Sequence, residues 1–390
     1  MKKYSLLVIG WYAYIGHVAE FIKNLKKTNP NVEISLLTSK PSLAEIPEDI
    51  VENTSEIVCC RYYSGRIKCR FLAEFINRFY FFWDFICISR KRYDIVDIHY
   101  AKPRLVYVLH WIRKLSNNLL ISPWGSDVMR VENKRAIRQL SRVYSQTKFV
   151  TVGKSSSVGQ SLVNKFNVDP NKLVRLGWGG EFFDFIRENP NSVTTEDAKA
   201  RFGLSDRYVI TCGYNTQLAQ RHIDIIEAIN GVKGQLPENL TILLPFTYGK
   251  TTFNDRYTEI VQTKCRELGL DAVAVEEHLD MLDLLKLRMA TDMFVHVQST
   301  DAGSRSVMEY VLCNKKVVHG SWVKYAYLEN YRPSCYFPVE GMEDLGKRIV
   351  EAYHAQVTDL PQEVMDIIME RGWKNRMILW NDFFESLVKD

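Results

Sequence analysis

The sequence lacks the patterns that hold a metal or a disulfide framework. Among its 390 residues, the eight cysteines form no C-x-x-C pair and no close group of cysteine and histidine with metal-ligand spacing. Most of the cysteines lie in apolar segments. We therefore expect reduced cysteines in the core and no bound metal.

Long hydrophobic runs are also missing. No stretch of 18 or more apolar residues occurs, so a membrane-spanning helix is not expected. The N-terminus, in which 16 uncharged residues follow Lys3, loosely resembles a secretory signal, but Gly10, Gly16 and His17 interrupt it and no A-x-A cleavage site follows. We interpret it as a buried strand with its loop, and we expect a cytoplasmic protein.

The glycines of this loop do not form a dinucleotide fingerprint. Gly10 and Gly16 are separated by five residues, whereas a dinucleotide site has the spacing G-x-G-x-x-G. A dinucleotide oxidoreductase is therefore a poor interpretation.

The composition is that of a folded chain, with 46% hydrophobic and 25% charged residues, and the length favours two domains. Residues 1–180 carry 28 Lys and Arg against 14 Asp and Glu, whereas residues 181–390 carry 23 against 32. The first half is therefore strongly basic, although solvated faces alone can produce such an imbalance. We expect an acidic membrane surface or a phosphorylated acceptor as its partner, and no nucleic acid.

Short apolar runs rich in β-branched residues recur between amphipathic helical patterns, in two sets separated by the polar stretch Arg187–Asp206. This alternation predicts an α/β protein with two doubly wound Rossmann-like domains that face each other across a cleft. The domains are expected at 1–183 and 184–362, with a helix over 363–390. The predicted strands lie at 5–9, 34–37, 95–98, 119–122, 149–152, 208–212, 240–244, 272–275, 293–297 and 316–318.

The segment Phe71–Ile88 is aromatic and amphipathic. One helical face is expected to carry Phe71, Phe75, Phe79, Phe82 and Ile86, and basic residues flank the segment on both sides. Such a helix either lies in a lipid interface or packs in the core with solvated ends. The sequence leaves both interpretations open.

The most informative stretch is Asp301–Glu309, which follows an apolar strand and leads into a helix. The backbone N–H groups of Ser304, Arg305 and Ser306 are expected at the N-terminus of that helix, where they would suit a phosphate. Glu309 could then accept both hydroxyls of a ribose, and Asp301 could face a sugar. The alternative is that Asp301 only starts a turn and that Glu309 is an ordinary surface carboxylate.

A second candidate phosphate loop follows the strand at 208–212. Gly213 permits close backbone approach, and Arg221 could offer its planar guanidinium to a diphosphate. The alternative is a surface arginine at the start of a helix.

Polar residues also follow three strands of the first domain. His17 ends the glycine-bounded loop after the strand at 5–9. His99 follows the strand at 95–98, and Trp124 and Asp127 follow the strand at 119–122. Ligands of open α/β sheets bind at this edge, so these four side chains could converge on one crevice. Each of them taken singly could be structural.

Together these blocks resemble a GT-B glycosyltransferase of the family 4 type over almost the whole chain. Asp301–Glu309 resembles the E-x7-E signature of that family, with Asp in place of the first Glu. Asp94–Pro103 resembles its DVVHxH strand, Trp124–Asp127 its HGSD loop, and Gly177–Gly180 its PNGVD exit from the first domain.

The donor loop matches that family in part. Gly213 is kept, Tyr214 stands where Arg is usual, and Arg221 falls at the Lys of the GR...KG pattern. Gly213 to Asn215 with Arg221, together with Leu244–Gly249, is also similar, more faintly, to bacterial 4-acetamido-4,6-dideoxygalactose transferases of surface-polysaccharide synthesis.

The resemblance implies that the second domain holds a nucleotide-sugar donor, that the first holds the acceptor, that no metal or other cofactor is required, and that the C-terminal helix crosses back to the first domain. Arg221 and helix N-terminal amides would then stabilise the leaving diphosphate. Asp127 or His17 would be the general base if the reaction inverts the anomeric carbon. The assigned residues are Asp127, His99 and Asp301 near the reacting centre, Gly213, Asn215, Arg221, Ser304, Arg305, Ser306 and Glu309 for the donor, and Gly16, His17 and Trp124 for the acceptor.

We therefore expect transfer of a hexose or deoxyamino sugar to a glycan or lipid-linked acceptor in bacterial-type surface-polysaccharide synthesis, by a peripheral protein on the inner face of the plasma membrane. Two other functions stay open. A nucleotide-sugar epimerase of the same fold would need no acceptor, and a non-catalytic membrane-surface subunit would bind lipid without nucleotide.

Overall fold

A computed structural model describes residues 2–10, 15–38, 46–59, 70–88, 90–153, 157–250 and 256–388. The chain divides into two compact units, and we call Met1–Gly179 with Trp373–Asp390 unit 1 and Gly180–Gly372 unit 2. The units therefore change at 179/180 and 372/373, compared with the expected 183/184 and 362/363. The differences arise because Phe182 and Phe183 pack in the core of unit 2, as do Val364 and Ile368.

Unit 1 is built on a parallel sheet of seven strands in the order β3-β2-β1-β4-β5-β6-β7. Its strands are β1 (Tyr4–Gly10), β2 (Val32–Thr38), β3 (Glu56–Cys59), β4 (Ile95–His99), β5 (Leu119–Ser122), β6 (Phe149–Thr151) and β7 (Leu173–Val174). Its first seven helices are α1 (Ile15–Thr28), α2 (Glu48–Asn53), α3 (Arg70–Ile88), α4 (Leu109–Leu115), α5 (Ser126–Met129), α6 (Lys134–Ser145) and α7 (Ser157–Phe166).

Unit 2 has a parallel sheet of six strands in the order β10-β9-β8-β11-β12-β13. Its strands are β8 (Tyr208–Cys212), β9 (Leu240–Pro245), β10 (Ala272–Val275), β11 (Met293–His296), β12 (Lys316–Gly320) and β13 (Tyr336–Val339). Its helices are α8 (Glu181–Glu188), α9 (Thr195–Arg201), α10 (His222–Gly231), α11 (Tyr257–Glu267), α12 (Met281–Ala290), α13 (Arg305–Leu312), α14 (Ala326–Tyr331), α15 (Leu345–His354) and α16 (Gln362–Met369).

The last helix, α17 (Trp373–Leu387), packs in unit 1, as the resemblance implied. Its buried Trp380 lies edge-on to Phe21 of α1, with ring centroids 4.9 Å apart, and its indole N–H donates to the carbonyl of Gly177 at 3.0 Å. Aromatic burial of this kind gives a helix most of its stability. The chain thus finishes in the unit in which it starts.

Both sheets are covered on their two faces, which explains why their central strands are continuous apolar runs. In unit 1, α3, α4, α6 and α7 pack on one core, whereas α1, α2 and α17 pack on the other. The two doubly wound sheets confirm the predicted α/β fold class. None of the described helices is both long enough and apolar enough to cross a membrane.

Within the described ranges, Cys87, Cys212, Cys265, Cys313 and Cys335 are free thiols. Cys212, Cys265 and Cys335 are buried, as predicted. Cys87 is exposed near the end of α3, because the face of that helix on which it lies is turned away from the core. The prediction that the cysteines are core residues is therefore wrong for Cys87.

Candidate functional site

The connections of the unit 2 sheet create a ligand-binding position at the ends of β8 and β11. The chain leaves β8 towards β9 on one side and later crosses to β11 on the other side. The loops that follow two such strands diverge and open a crevice at the carboxyl edge of the sheet. The two stretches singled out in the sequence, 213–221 and Asp301–Glu309, come after these two strands.

The loop after β11 ends at the N-terminus of α13. Ser304 is the N-cap, and its side chain makes no cap hydrogen bond. Its backbone N–H donates to the hydroxyl of Tyr325 at 2.8 Å. The N–H of Ser304, one of the three expected phosphate donors, is thus used within the protein, whereas the N–H groups that follow it in the first turn of α13 have no acceptor within the helix.

Asp301 holds this loop in shape. Its Oδ1 accepts the backbone N–H of Gly303 at 3.1 Å, which is a local turn, and its Oδ2 accepts the hydroxyl of Tyr325 at 3.2 Å. The same Oδ2 lies 3.1 Å from Nε2 of His296. Asp301 thus starts a turn, as the alternative interpretation stated. It also connects the loop to Tyr325, whose hydroxyl bonds Ser304 at the N-terminus of α13.

Glu309 is a buried carboxylate that pairs with Arg288. Its side chain is 7% exposed, and its Oε2 accepts hydrogen bonds from Nε and Nη2 of Arg288 at 2.9 and 2.7 Å. Arg288 also donates to the hydroxyl of Tyr310 at 3.0 Å and lies over its ring. The interpretation of Glu309 as a surface carboxylate is therefore wrong. Neither bond from Arg288 uses Oε1, for which the described residues show no hydrogen bond.

The loop after β8 is held close to the sheet. Gly213 has φ +63°, and a Cβ on it would lie 2.8 Å from Nε2 of His222, so this position requires glycine. The buried Asn215 accepts the backbone N–H of Gln217 at 2.9 Å. Arg221 is one-third exposed, and its Nε donates to Asp224 at 2.6 Å. This ion pair fixes the guanidinium at the start of α10.

Two stacked histidines lie in the neighbouring strands β11 and β12, and neither is among the residues predicted from the sequence. His296 and His319 occupy paired positions in β11 and β12, and their rings are parallel at 5.3 Å. Burial lowers the pKa of His319 well below its ordinary value. Tyr214 extends this aromatic stack, because its ring stacks on that of His296 at 5.8 Å.

In unit 1, His99 belongs to the core. It is fully buried, and its Nε2 lies 3.1 Å from Oδ2 of Asp97. The other oxygen of Asp97 accepts the hydroxyl of Ser122, which in turn accepts that of Thr151. This network fixes the buried His99 at the end of β4, and its place near the reacting centre stays a prediction.

The carboxylate of Asp127 is also buried, and it accepts hydrogen bonds from the backbone. Its Oδ1 accepts the backbone N–H groups of Trp124 and Gly125 at 2.9 and 3.0 Å, and its Oδ2 accepts that of Ala101 at 3.1 Å. Burial raises the pKa of Asp127 to about 7, and the backbone donors act in the opposite direction. The side chain is buried and joins two loops, and its role as a general base stays a prediction.

The remaining predicted residues of unit 1 do lie at its surface. His17, in the first turn of α1, is exposed and contacts the ring of the half-buried Trp124 edge-on at 4.7 Å. A Cβ on the exposed Gly16 would meet no described atom within 4 Å. His17, His99 and Asp127 each contact Trp124, and of these four residues His17 and Trp124 are the ones that solvent reaches. Residues 11–14 of this loop lie outside the described residues.

Comparison with known proteins gives the fold a name. No protein-family model and no curated protein matches the sequence. A glycosyltransferase from Rickettsia africae is 14% identical, with a TM-score of 0.70 and full coverage of both chains. A sucrose-phosphate synthase from Thermosynechococcus elongatus is 13% identical, with a TM-score of 0.69 and 99% of each chain covered.

A third similar structure contains a ligand. The Anabaena protein HepE, solved in complex with UDP-glucose, is 10% identical, with a TM-score of 0.67 over 98% of this chain and 100% of that chain. These full-length matches confirm the GT-B glycosyltransferase fold that the sequence resemblance implied.

Proposed function

We propose that this protein is a glycosyltransferase that uses a nucleotide-diphosphate sugar as its donor. The observation that carries the proposal is the pair formed by the N-terminus of α13 and the buried Glu309 at the crevice of the unit 2 sheet. The GT-B fold, which matches along the whole chain, supports the proposal. The UDP-glucose bound to the similar Anabaena protein supports it as well.

The proposed donor site assigns one chemical task to each group. The first turn of α13 binds the diphosphate, because N–H groups at a helix N-terminus have no acceptor within the helix and the positive dipole end favours anions. Oε1 of Glu309 accepts the ribose hydroxyls, and Arg288 holds that carboxylate in place through Oε2. Arg221 contributes a guanidinium to the phosphates. Asp301 is a positioning residue in this scheme, since its bonds fix the loop in front of α13.

The reaction breaks the bond between the anomeric carbon and the diphosphate, and it forms a bond to an acceptor oxygen. Negative charge grows on the departing nucleotide, and the α13 dipole with Arg221 stabilises it. These groups perform the task for which other transferases use a divalent cation, so we propose a metal-independent enzyme. We expect the transferase activity to persist in an excess of EDTA. Activity that EDTA abolishes and added Mg²⁺ restores would contradict metal independence.

For the acceptor, we propose a glycan or lipid-linked glycan of surface-polysaccharide synthesis, bound by unit 1 at the cytoplasmic face of the membrane. The exposed His17 beside Trp124 supports this assignment, because an aromatic ring can stack on a sugar and the imidazole can accept the hydroxyl proton. The excess of basic residues in 1–180 suits a phosphate-containing lipid carrier.

Thermal unfolding of the full chain with UDP-, GDP- and dTDP-sugars tests the donor. We expect one of these classes to raise the unfolding midpoint by about 5 °C at saturating concentration, because a ligand that binds only the native state stabilises it. Arg221→Gln should weaken that shift. The matched control is Arg207→Gln, which removes an exposed ion pair with Asp271 in the same unit and should leave the shift unchanged.

Each result decides between the functions considered above. If no nucleotide sugar shifts the midpoint, the transferase proposal fails. Conversion of the donor to an isomeric nucleotide sugar without acceptor would instead identify an epimerase. A shift that is normal in Arg221→Gln would remove Arg221 from the phosphate site while leaving the rest in place.

A further inference from the structure

Helix α3 presents an uncovered row of large apolar side chains. Leu72, Phe75, Phe79 and Trp83 are 48%, 64%, 57% and 45% exposed. Their spacing of three, four and four residues places them on one helical face. The rings of Phe79 and Trp83 stack at 6.2 Å. A contiguous apolar surface of this kind marks an interaction site.

The opposite face of α3 holds the helix to the unit. Phe85 and Ile88 are buried in the core, and Phe82 packs edge-on against Trp111 of α4. Phe82 therefore does not share the exposed face with Phe79, in contrast to the sequence expectation. The core-facing residues anchor α3 in the unit. The exposed row is therefore a second face of a packed helix.

The surface beside this row is strongly basic. Residues 90–148 carry thirteen Lys and Arg against four Asp and Glu, and two of those acids, Asp97 and Asp127, are buried. α3 contacts α4, which contacts the turn at 103–107, and that turn packs on α6. These elements cover the same core, and the exposed basic residues of α6 are Lys134, Arg135, Arg138 and Arg142.

A tyrosine joins the aromatic and basic features. Tyr107 is 48% exposed, and its hydroxyl accepts a hydrogen bond from Gln139 of α6 at 2.8 Å. Tyrosine and tryptophan favour the zone between lipid headgroups and acyl chains, where one end of the side chain is wet and the other is apolar.

We propose that α3, the 103–107 turn and α6 form a docking face for an anionic lipid bilayer. The exposed rings of α3 would enter the headgroup zone, and the basic residues of α6 would face lipid phosphates. α3 has 19 residues, so it extends about 28 Å and can lie flat on the surface. The inference deepens the proposed function, because it states how unit 1 reaches a lipid-linked acceptor.

Charge decides against a second copy of the chain as the occupant. A symmetric dimer would place this patch against itself, so that two basic surfaces would meet and repel each other. An anionic bilayer offers both an apolar layer for the rings and the opposite charge.

Co-sedimentation of the full chain with vesicles tests the docking face. We expect binding to vesicles that contain one-third phosphatidylglycerol and little binding to pure phosphatidylcholine. The double variant Phe75→Gln/Phe79→Gln should reduce the partition coefficient about tenfold, because two exposed rings no longer insert. Arg138→Gln/Arg142→Gln should reduce it about fivefold per charge at low salt.

The matched control is Ile260→Gln/Tyr331→Gln, which changes two similarly exposed apolar residues of unit 2 and should bind vesicles as the unchanged protein does. All variants should keep the midpoint shift with donor, so a loss of membrane binding is separable from a failure of the proposed donor site. Equal binding by all four proteins, or binding without preference for anionic lipid, would overturn the proposal. A concentration-dependent dimer that Phe75→Gln/Phe79→Gln dissociates, without vesicle binding, would identify a copy of the chain as the occupant and also overturn it.

Discussion

Replacement of Arg288 by methionine is expected to lower the free energy of unfolding by about 3–5 kcal/mol. The side chains of Arg288 and Glu309 are 5% and 7% exposed, and Oε2 of Glu309 takes both of its hydrogen bonds from this arginine. Without the guanidinium, the carboxylate is a buried charge with no counter-ion. Chemical denaturation followed by circular dichroism measures the loss, and donor binding should weaken in the same variant.

The double variant Arg288→Met/Glu309→Met separates the structural role of the pair from its role in binding. Removal of both charges leaves an apolar contact of similar volume, so most of the lost stability should return. Donor binding should not return, because the acceptor for the ribose is gone. Each charge-assisted hydrogen bond to a hydroxyl contributes about 1.5–3 kcal/mol, so KM for the donor should rise by tenfold or more. A restored protein that binds donor normally would show that Glu309 does not contact the ribose.

Most of the fold can be predicted from the sequence, and the strands that were missed have a common physical reason. All ten predicted strands are present. The three missed strands, β3, β7 and β13, are edge strands of the two sheets. An edge strand has a neighbour on one side only and is less covered by helices, so its sequence need not be a continuous apolar run. β7 has only two residues, and β3 is half-exposed along its length.

The sequence predicts which segments carry the candidate site residues, but it does not predict the directions of their side chains. His99 and Asp127 follow strands as binding residues do, yet their partners lie at Asp97 and Ala101 and hold them beneath the surface. A strand-end pattern places a residue at the edge of the sheet and does not state which way the side chain turns. Local sequence contains no information on a partner 26 residues away.

Arg288 and the stacked histidines are residues of the candidate site that the sequence does not indicate. Arg288 stands between Leu287 and Met289 in α12, and nothing in that helix indicates a bond to Glu309. His296 and His319 each end an apolar run, which is the signal that drew attention to His99. They become a pair only when the register of β11 and β12 is known.

Asp127→Ala is expected to lower the free energy of unfolding by about 3 kcal/mol, because three backbone N–H groups lose a buried acceptor at about 1 kcal/mol or more each. Denaturation at pH 5 measures the total. Hydrogen exchange of the peptides around Ala101 and Gly125 should show the greatest gain in exchange rate, since these groups donate to the missing carboxylate. Unchanged protection there would contradict the role of Asp127 as the residue that joins the two loops.

The size of this loss should depend on pH. Burial raises the pKa of Asp127 from 3.8 to about 7, so the folded protein holds a proton there that the unfolded chain has released. The stabilising contribution of the group is therefore complete below about pH 4 and falls as the pH rises towards 7. The difference in stability between the unchanged protein and Asp127→Asn should accordingly be greater at pH 5 than at pH 8. A difference that grows with pH would mean that the backbone donors outweigh burial and hold the carboxylate ionised.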